Sequence, residues 1–507
     1  MLYFMRIPLS ATAIKISVTV LFAAISFLLF SQIALHRFIA ADEGFYLLAG
    51  KLVANGMLPY SDFFYPQMPL LPYFHATWIS LLGESWITSR IIAASMASSI
   101  AAILFLFLWR VRSLSIALLA GALFITAPEI LYWFTVSKTY VFSGAPLIAS
   151  CALLYYALYH ADKHLIPRLV LISGFLLGIA IGVRLFYFAF IPVYFIYVFF
   201  HVSNASRLKA LKALTFGLVL SALPHMLFLL HDITSYWFNN LGYHLSRNHR
   251  PHEIAMELKV KVVRWALGLD STNTFGSPCL PLLFWLNCVI ALVAVCKGKL
   301  PPLPTSLGLV LFACYLTPTP IHLQYFSTCM PFFILGVATA SWKRWVATSL
   351  LSLLTATTLI MLPQTFERLT VSGQGVKGID QKNRQTFTLS TVTEVSEFLN
   401  QQFTPGSRII SQWPGFLFET SLLPVSGLEN QFWIRMDEKL SPQQVDQFKL
   451  MTRPKMRLLP QDSSVDGLII ETHKFDKYFS EDIIEESKLS EITAPDGFRV
   501  FKSQDAP

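Results

Sequence analysis

Two adjacent carboxylates, Asp42 and Glu43, directly follow the first long apolar segment, and a third, Asp62, comes in the same loop. Carboxylates beside a bilayer are costly unless they have a function. Their placement suits a general base that works at the water–lipid boundary on an acceptor hydroxyl or amine. A simpler role is equally written in the spacing: Asp42 caps a short helix over 43–53, with Glu43 favourable near its positive end. The two roles are compatible. Phe45, Tyr46, Tyr60, Phe63, Phe64, Tyr65 and Tyr73 add ring faces, and Asp62 and Gln67 add hydrogen-bonding groups. Sugar sites are commonly built this way, and so are interfacial aromatic belts.

The elements that position this loop are membrane helices. The chain has 507 residues, 54% hydrophobic and 14% charged, where a soluble domain is nearer a quarter charged. Apolar runs lie near 16–35, 91–109, 115–128, 140–159, 169–183, 185–200, 213–230, 279–296, 303–316, 326–340 and 346–362, about eleven spans. Several fall short of the roughly 20 residues a span requires, so flanking aromatics or thinned lipid must complete them. Basic residues mark alternate loops: Arg6 and Lys15, Arg110 and Arg112, Lys163 and Arg168, Arg207 to Lys212, Lys297 and Lys299, Lys343 and Arg344. That pattern puts the amino terminus in the cytoplasm and the Asp42 loop outside. Arg184 alone interrupts 169–200, which reads as two spans joined by a tight outer turn. The first segment has an apolar core of about twenty residues, longer than the 7–15 of a cleavable signal, and reads as a retained anchor.

The six cysteines sit in or beside apolar segments without metal-ligand spacing and read as packing residues. After Leu362 the composition changes, and twenty of the thirty acids lie in 363–507. Thr391 and Glu394 form a capping-box pattern before a helix with Val392, Val395, Phe398 and Leu399 on one face. Ser441-Pro442 opens a second helix to about Leu450. Segments 408–411, 467–470 and 498–501 read as strands. The expectation is a membrane unit 1–362, including outer loop 36–86, and an extracytoplasmic α/β domain 363–507. The basic excess of the membrane part follows the positive-inside pattern and so does not argue for nucleic acid, and none is expected as a partner.

Asp42-Glu43-Gly44-x-Tyr46, then Gly56-x-x-Pro59-Tyr60-x-Asp62-Phe63 and Pro66-Gln67-x-Pro69-Leu70, resembles the first outer loop of bacterial GT-C glycosyltransferases. These are relatives of the protein O-mannosyltransferases and of the aminoarabinose transferase that modifies lipid A. The stretch His322-Leu-Gln324-Tyr325, before a span that contains Pro331, resembles their late loop. The resemblance implies a polytopic α-helical GT-C-like fold with an exported α/β tail, in a bacterial inner membrane. It implies transfer of a sugar from a polyprenyl-phosphate donor to a glycan, lipid or protein acceptor on the outer face, with inversion. It maps the catalytic base to Asp42, with Glu43 beside it. Two departures stand out. Gln324 occupies a position where many relatives carry arginine, and the region 132–140, where many carry a second acid, has only Glu129 nearby.

A donor phosphate needs cations, and arginine suits phosphate best. Arg184 is the first candidate; its alternative is snorkelling to headgroups. His322, Gln324, Tyr325, Tyr46, Tyr60, Asp62 and Gln67 complete the expected substrate contacts, and the donor-rich loop 243–252 is a further anion site. No cofactor is firmly implied, and a divalent metal is left open. A glycolipid transporter or flippase is the alternative class, but its acids should lie at the midplane in paired repeats. A structural membrane protein presenting the tail would not need the carboxylate–aromatic loop.

The alternating basic loops generate a first prediction. A reporter enzyme active only outside the cytoplasm, fused after Thr370, should be active. Activity of a cytoplasmic reporter at that position instead would contradict the topology.

Overall fold

The computed structural model describes residues 11–247, 250–270, 277–432 and 439–504. Arg6, and Asn248 and His249 of the donor-rich loop, lie outside them. The eleven apolar segments are all helical, but their span count is seven or eight by length and composition. Among the described residues, seven helices can cross a membrane alone, beginning with α1 (Ala11–His36). An eighth would be a bent pair, Leu114–Thr126 and Pro128–Phe134, which turns by 60°. The segments at 185–201, 303–315 and 323–339 are shorter helices.

Between α1 and the next long helix, the loop carrying the acids is itself helical. It forms α2 (Asp42–Ala54) and α3 (Leu70–Leu82), followed by α4 (Trp86–Val111). The apolar α3 is not among the segments named above. It is too short for a span and ends on the exposed Leu81 and Leu82. Arg184 does mark the turn: its extended backbone closes Ile166–Val183 before a 3₁₀ turn, Leu185–Ala189, leads into Phe190–His201.

The tail is α/β. Its strands are β1 (Arg408–Ser411), β2 (Leu423–Pro424), β3 (Gly467–Glu471), β4 (Leu489–Ile492) and β5 (Phe498–Ser503), in the order β2-β1-β3-β5-β4. β1 runs parallel to β2 and β3, and β5 antiparallel to β3 and β4. The cap of helix Leu389–Gln402 is Thr388, whose hydroxyl accepts the Thr391 N–H, rather than Thr391 itself. Ser441 makes the expected cap with Pro442 behind it, but that helix stops at Gln447. The last membrane helix, Arg344–Glu367, runs beyond Leu362.

The tail backs directly onto α2. The Lys51 ammonium is buried and donates to the carbonyls of Leu417, at 3.0 Å, and Thr420. Trp413 Nε1 donates to the Ala41 carbonyl at 2.7 Å, and the Trp413 ring stacks on Trp86 with centroids 5.8 Å apart. Gly44 makes this approach feasible. A Cβ there would lie 2.7 Å from the Gly415 nitrogen and 2.8 Å from the Trp413 ring. Backbone atoms cannot retreat as a flexible side chain can. Gly44→Ala should therefore destabilise the protein by about 1–3 kcal/mol, the usual scale of overpacking. Thermal unfolding of the purified protein in detergent checks this; an unchanged Tm would contradict it.

Candidate active site

Asp42 is the first residue of α2, and the residue before it has helical backbone without a side-chain cap. Asp42 therefore does not cap the helix. Its Oδ2 accepts from Lys138 Nζ at 3.0 Å, and its side chain is 24% exposed. The terminal hydrogen bond is made by Glu43, whose Oε1 accepts the Ala40 N–H at 2.8 Å. The same oxygen takes Arg90 Nη2 at 2.8 Å, and Oε2 takes the Ser137 N–H at 3.1 Å. Glu43 is fully buried, as is Arg90. A carboxylate held by three donors away from solvent has no free face for an acceptor, so the structure corrects its expected place beside the base: Glu43 is a brace.

Asp42 opens into a cavity of about 690 Å³. Seven of the residues expected at a substrate site line it: Asp42, Tyr46, Gln67, Arg184, His322, Gln324 and Tyr325. Tyr60 and Asp62 do not. Tyr60 has a left-handed backbone, φ 73°, and donates its hydroxyl to the Gln67 carbonyl at 2.6 Å. Asp62 Oδ2 accepts the Leu58 N–H at 2.7 Å. Both shape the turn that presents Gln67.

Arg184 is buried. Its Nη1 donates to Thr139 Oγ1 at 3.1 Å, and its guanidinium lies 4.6 Å from the Tyr140 ring and 5.2 Å from the Tyr325 ring. Planar cations are stabilised by such ring faces. Three more cations line the cavity: Lys138, Arg247 and Lys377. Arg247 Nη2 donates to the Tyr325 hydroxyl at 3.1 Å, and Lys377 Nζ lies 2.7 Å from His322 Nδ1. Arg247 thus stands beside the tyrosine of the late loop, where Gln324 supplies no charge. Burial, and then the charge of Arg247, push the His244 imidazole down to about 3. It stays neutral, and its Nε2 is 2.8 Å from the Pro66 carbonyl, fixing the segment before Gln67. Burial, and then the charge of Asp42, raise the Tyr46 hydroxyl well above its ordinary value, so it remains a neutral donor.

The tail takes part in the cavity. Phe432 lines it, its ring centroid 4.9 Å from that of Phe45, and Asn430 Nδ2 donates to the Phe64 carbonyl at 2.7 Å. The donor set does not fit a divalent metal. Asp42 is the single carboxylate in the lining among the described residues, and an ammonium already stands against it. Glu129 does not line the cavity and supplies no second acid there.

Lys138, Arg247 and Lys377 are not singled out by the sequence reading, which takes 247 only as part of a polar loop. A signal was available. Lys138 and Arg247 are cations in loops that the positive-inside pattern assigns to the outside, where such charge is depleted.

No family model matches the sequence, and no curated protein matches it. Solved structures do. ArnT from Cupriavidus metallidurans bound to undecaprenyl phosphate is similar over 97% of this chain and 98% of that chain, with TM-score 0.65 and 12% identity. The apo state of that protein gives TM-score 0.64 over the same shares. The oligosaccharyltransferase of Archaeoglobus fulgidus in the apo form is similar over 97% of this chain and 75% of that chain, with TM-score 0.48 and 13% identity. The likeness to ArnT establishes the fold, which the two chains share over nearly their whole lengths.

The burial of Glu43 gives a prediction that separates it from its neighbour. Glu43→Gln leaves Arg90 buried without its anion and should cost about 3–5 kcal/mol, seen as a large fall in folded yield and Tm. A variant of wild-type Tm would contradict the brace.

Proposed function

We propose that this protein is a glycosyltransferase that moves a sugar from a polyprenyl-phosphate donor to an acceptor at the outer face of a bacterial plasma membrane. The observation that carries the reading is the composition of the cavity. One partly exposed carboxylate, Asp42, faces a space whose charged lining is otherwise the cations Lys138, Arg184, Arg247 and Lys377, among the described residues. A site built for a neutral or cationic substrate would not gather four cations around one acid. A phosphate ester whose leaving group gains charge requires such an arrangement, because cations stabilise charge as it develops.

In this reading the acceptor's oxygen or nitrogen attacks the anomeric carbon as the bond from that carbon to the phosphate oxygen breaks. The acceptor's proton passes to Asp42, and polyprenyl phosphate leaves with the electron pair of the broken bond. Attack opposite the leaving group inverts the anomeric centre. Arg184, held by the Thr139 hydroxyl and by ring faces, and Arg247, held by the Tyr325 hydroxyl, are suited to the phosphate. Tyr46, Gln67, His322, Gln324 and Tyr325 supply the remaining contacts to sugar and phosphate. The amino terminus is cytoplasmic, and the tail from about 363 onward is external and roofs the site. The ArnT structure, whose ligand is undecaprenyl phosphate, supports the choice of donor class.

Asp42→Asn keeps the shape of the side chain and removes the base. The variant leaves the buried Lys138 ammonium without its anion and should lower Tm, but the protein that remains folded should lose about 100-fold or more in turnover of a polyprenyl-phosphate sugar, the scale of general base catalysis. Near-normal turnover would remove Asp42 from the mechanism.

A further inference from the structure

Lys138 differs from the other cations of the cavity in what holds it. Arg184 is tied to Thr139 and caged by rings, and Arg247 is tied to the Tyr325 hydroxyl. Lys138 is held by the proposed base itself: its ammonium donates to Asp42 Oδ2 at 3.0 Å and lies 4.9 Å from the centroid of the Trp133 ring. Its side chain is 1% exposed. While this contact stands, a carboxylate oxygen of Asp42 faces an ammonium and not an acceptor's proton. Thr139, the next residue, accepts from Arg184, so Lys138 lies on the same short segment that fixes a phosphate-suited guanidinium. A lysine carries a compact charge on a flexible four-carbon stem and can change partners by rotation, whereas a caged guanidinium cannot.

We propose that Lys138 alternates between two anions. It holds Asp42 until the lipid-phosphate donor enters, then turns to the donor's phosphate, which releases Asp42 to receive the acceptor's proton. Donor loading thus unmasks the base. No covalent bond changes in this step; one charge-assisted hydrogen bond is exchanged for another. The inference rests on the transferase reading above. It makes Lys138 a positioning residue for Asp42 and a ligand of the donor phosphate.

The exchange predicts a coupling between two side chains that binding can measure without turnover. In the wild type, phosphate must draw Lys138 away from Asp42. Removing the Asp42 charge abolishes that competition, so Asp42→Asn should bind polyprenyl phosphate more tightly, by about 10-fold, the scale of one charge-assisted hydrogen bond. Loss of simple repulsion between Asp42 and phosphate would also tighten binding, but it would do so whatever stands at 138.

The experiment is a double-mutant cycle on the Kd of polyprenyl phosphate, using purified full-length wild type, Asp42→Asn, Lys138→Gln and the double variant in detergent. The expected result is a gain from Asp42→Asn that disappears when it is combined with Lys138→Gln. Lys138→Arg, which keeps the charge, should retain part of the gain and serves if Lys138→Gln does not fold. A gain from Asp42→Asn of equal size alone, with Lys138→Gln and with Lys138→Arg overturns the exchange and leaves the transferase reading standing. Absence of polyprenyl phosphate binding in all the proteins overturns both.

Discussion

The cavity depends on one buried carboxylate that does not line it. Glu43 joins three segments: the chain entering α2 through the Ala40 N–H, the start of α4 through Arg90, and the approach to helix Thr139–Tyr159 through the Ser137 N–H. The last contact places Lys138 beside Asp42. Arg90 also donates to the Ala34 carbonyl at 2.8 Å, so the end of α1 is included. A charge this deep is tolerated because every side of it is met by a donor, and removing any one donor leaves the rest exposed to the cost of burial. The position of Asp42 is therefore set by its neighbour. A carboxylate cannot easily be both fully satisfied and open to solvent, and of the adjacent pair only Asp42 is partly exposed.

The tail completes this construction from the other side. Lys51 and Gly44 on α2 meet residues 413–420, and Trp413 reaches the Ala41 carbonyl just before Asp42. The helix that carries Asp42 is thus clamped between membrane helices and the α/β unit. The apolar core reflects this, running from α1 and α4 into Phe387, Trp413 and Phe416 of the tail. Phe432 and Lys377 extend the same unit into the cavity. The tail is as much a part of the cavity as the loop that carries Asp42.

Much of this was legible in the sequence. Apolar length and the basic loops gave the helices, Arg184 gave the turn, and short apolar runs in an acidic tail gave β1, β3 and β5. Seven of the residues singled out line one cavity, and most of them lie in two motifs whose spacing is local. The misses have physical causes. Glu43 and Asp42 are adjacent, and only tertiary contacts decide which is buried; Arg90 lies far along the chain. Tyr60 and Asp62 belong to a turn whose left-handed residue is a tyrosine, where glycine would have given the signal. Helix α3 is too short for a span, and the kink at 127 divides another. Lys138, Arg247 and Lys377 come from three distant segments, and only the cavity shows that they converge.

The central claim is that the cavity transfers a sugar and does not carry a lipid across the membrane. The direct measurement is the fate of a labelled polyprenyl-phosphate sugar in liposomes containing purified protein and cell-envelope acceptor fractions. The account predicts release of polyprenyl phosphate in step with the appearance of label on acceptor. Intact donor recovered from the opposite leaflet, with no polyprenyl phosphate released, would contradict it.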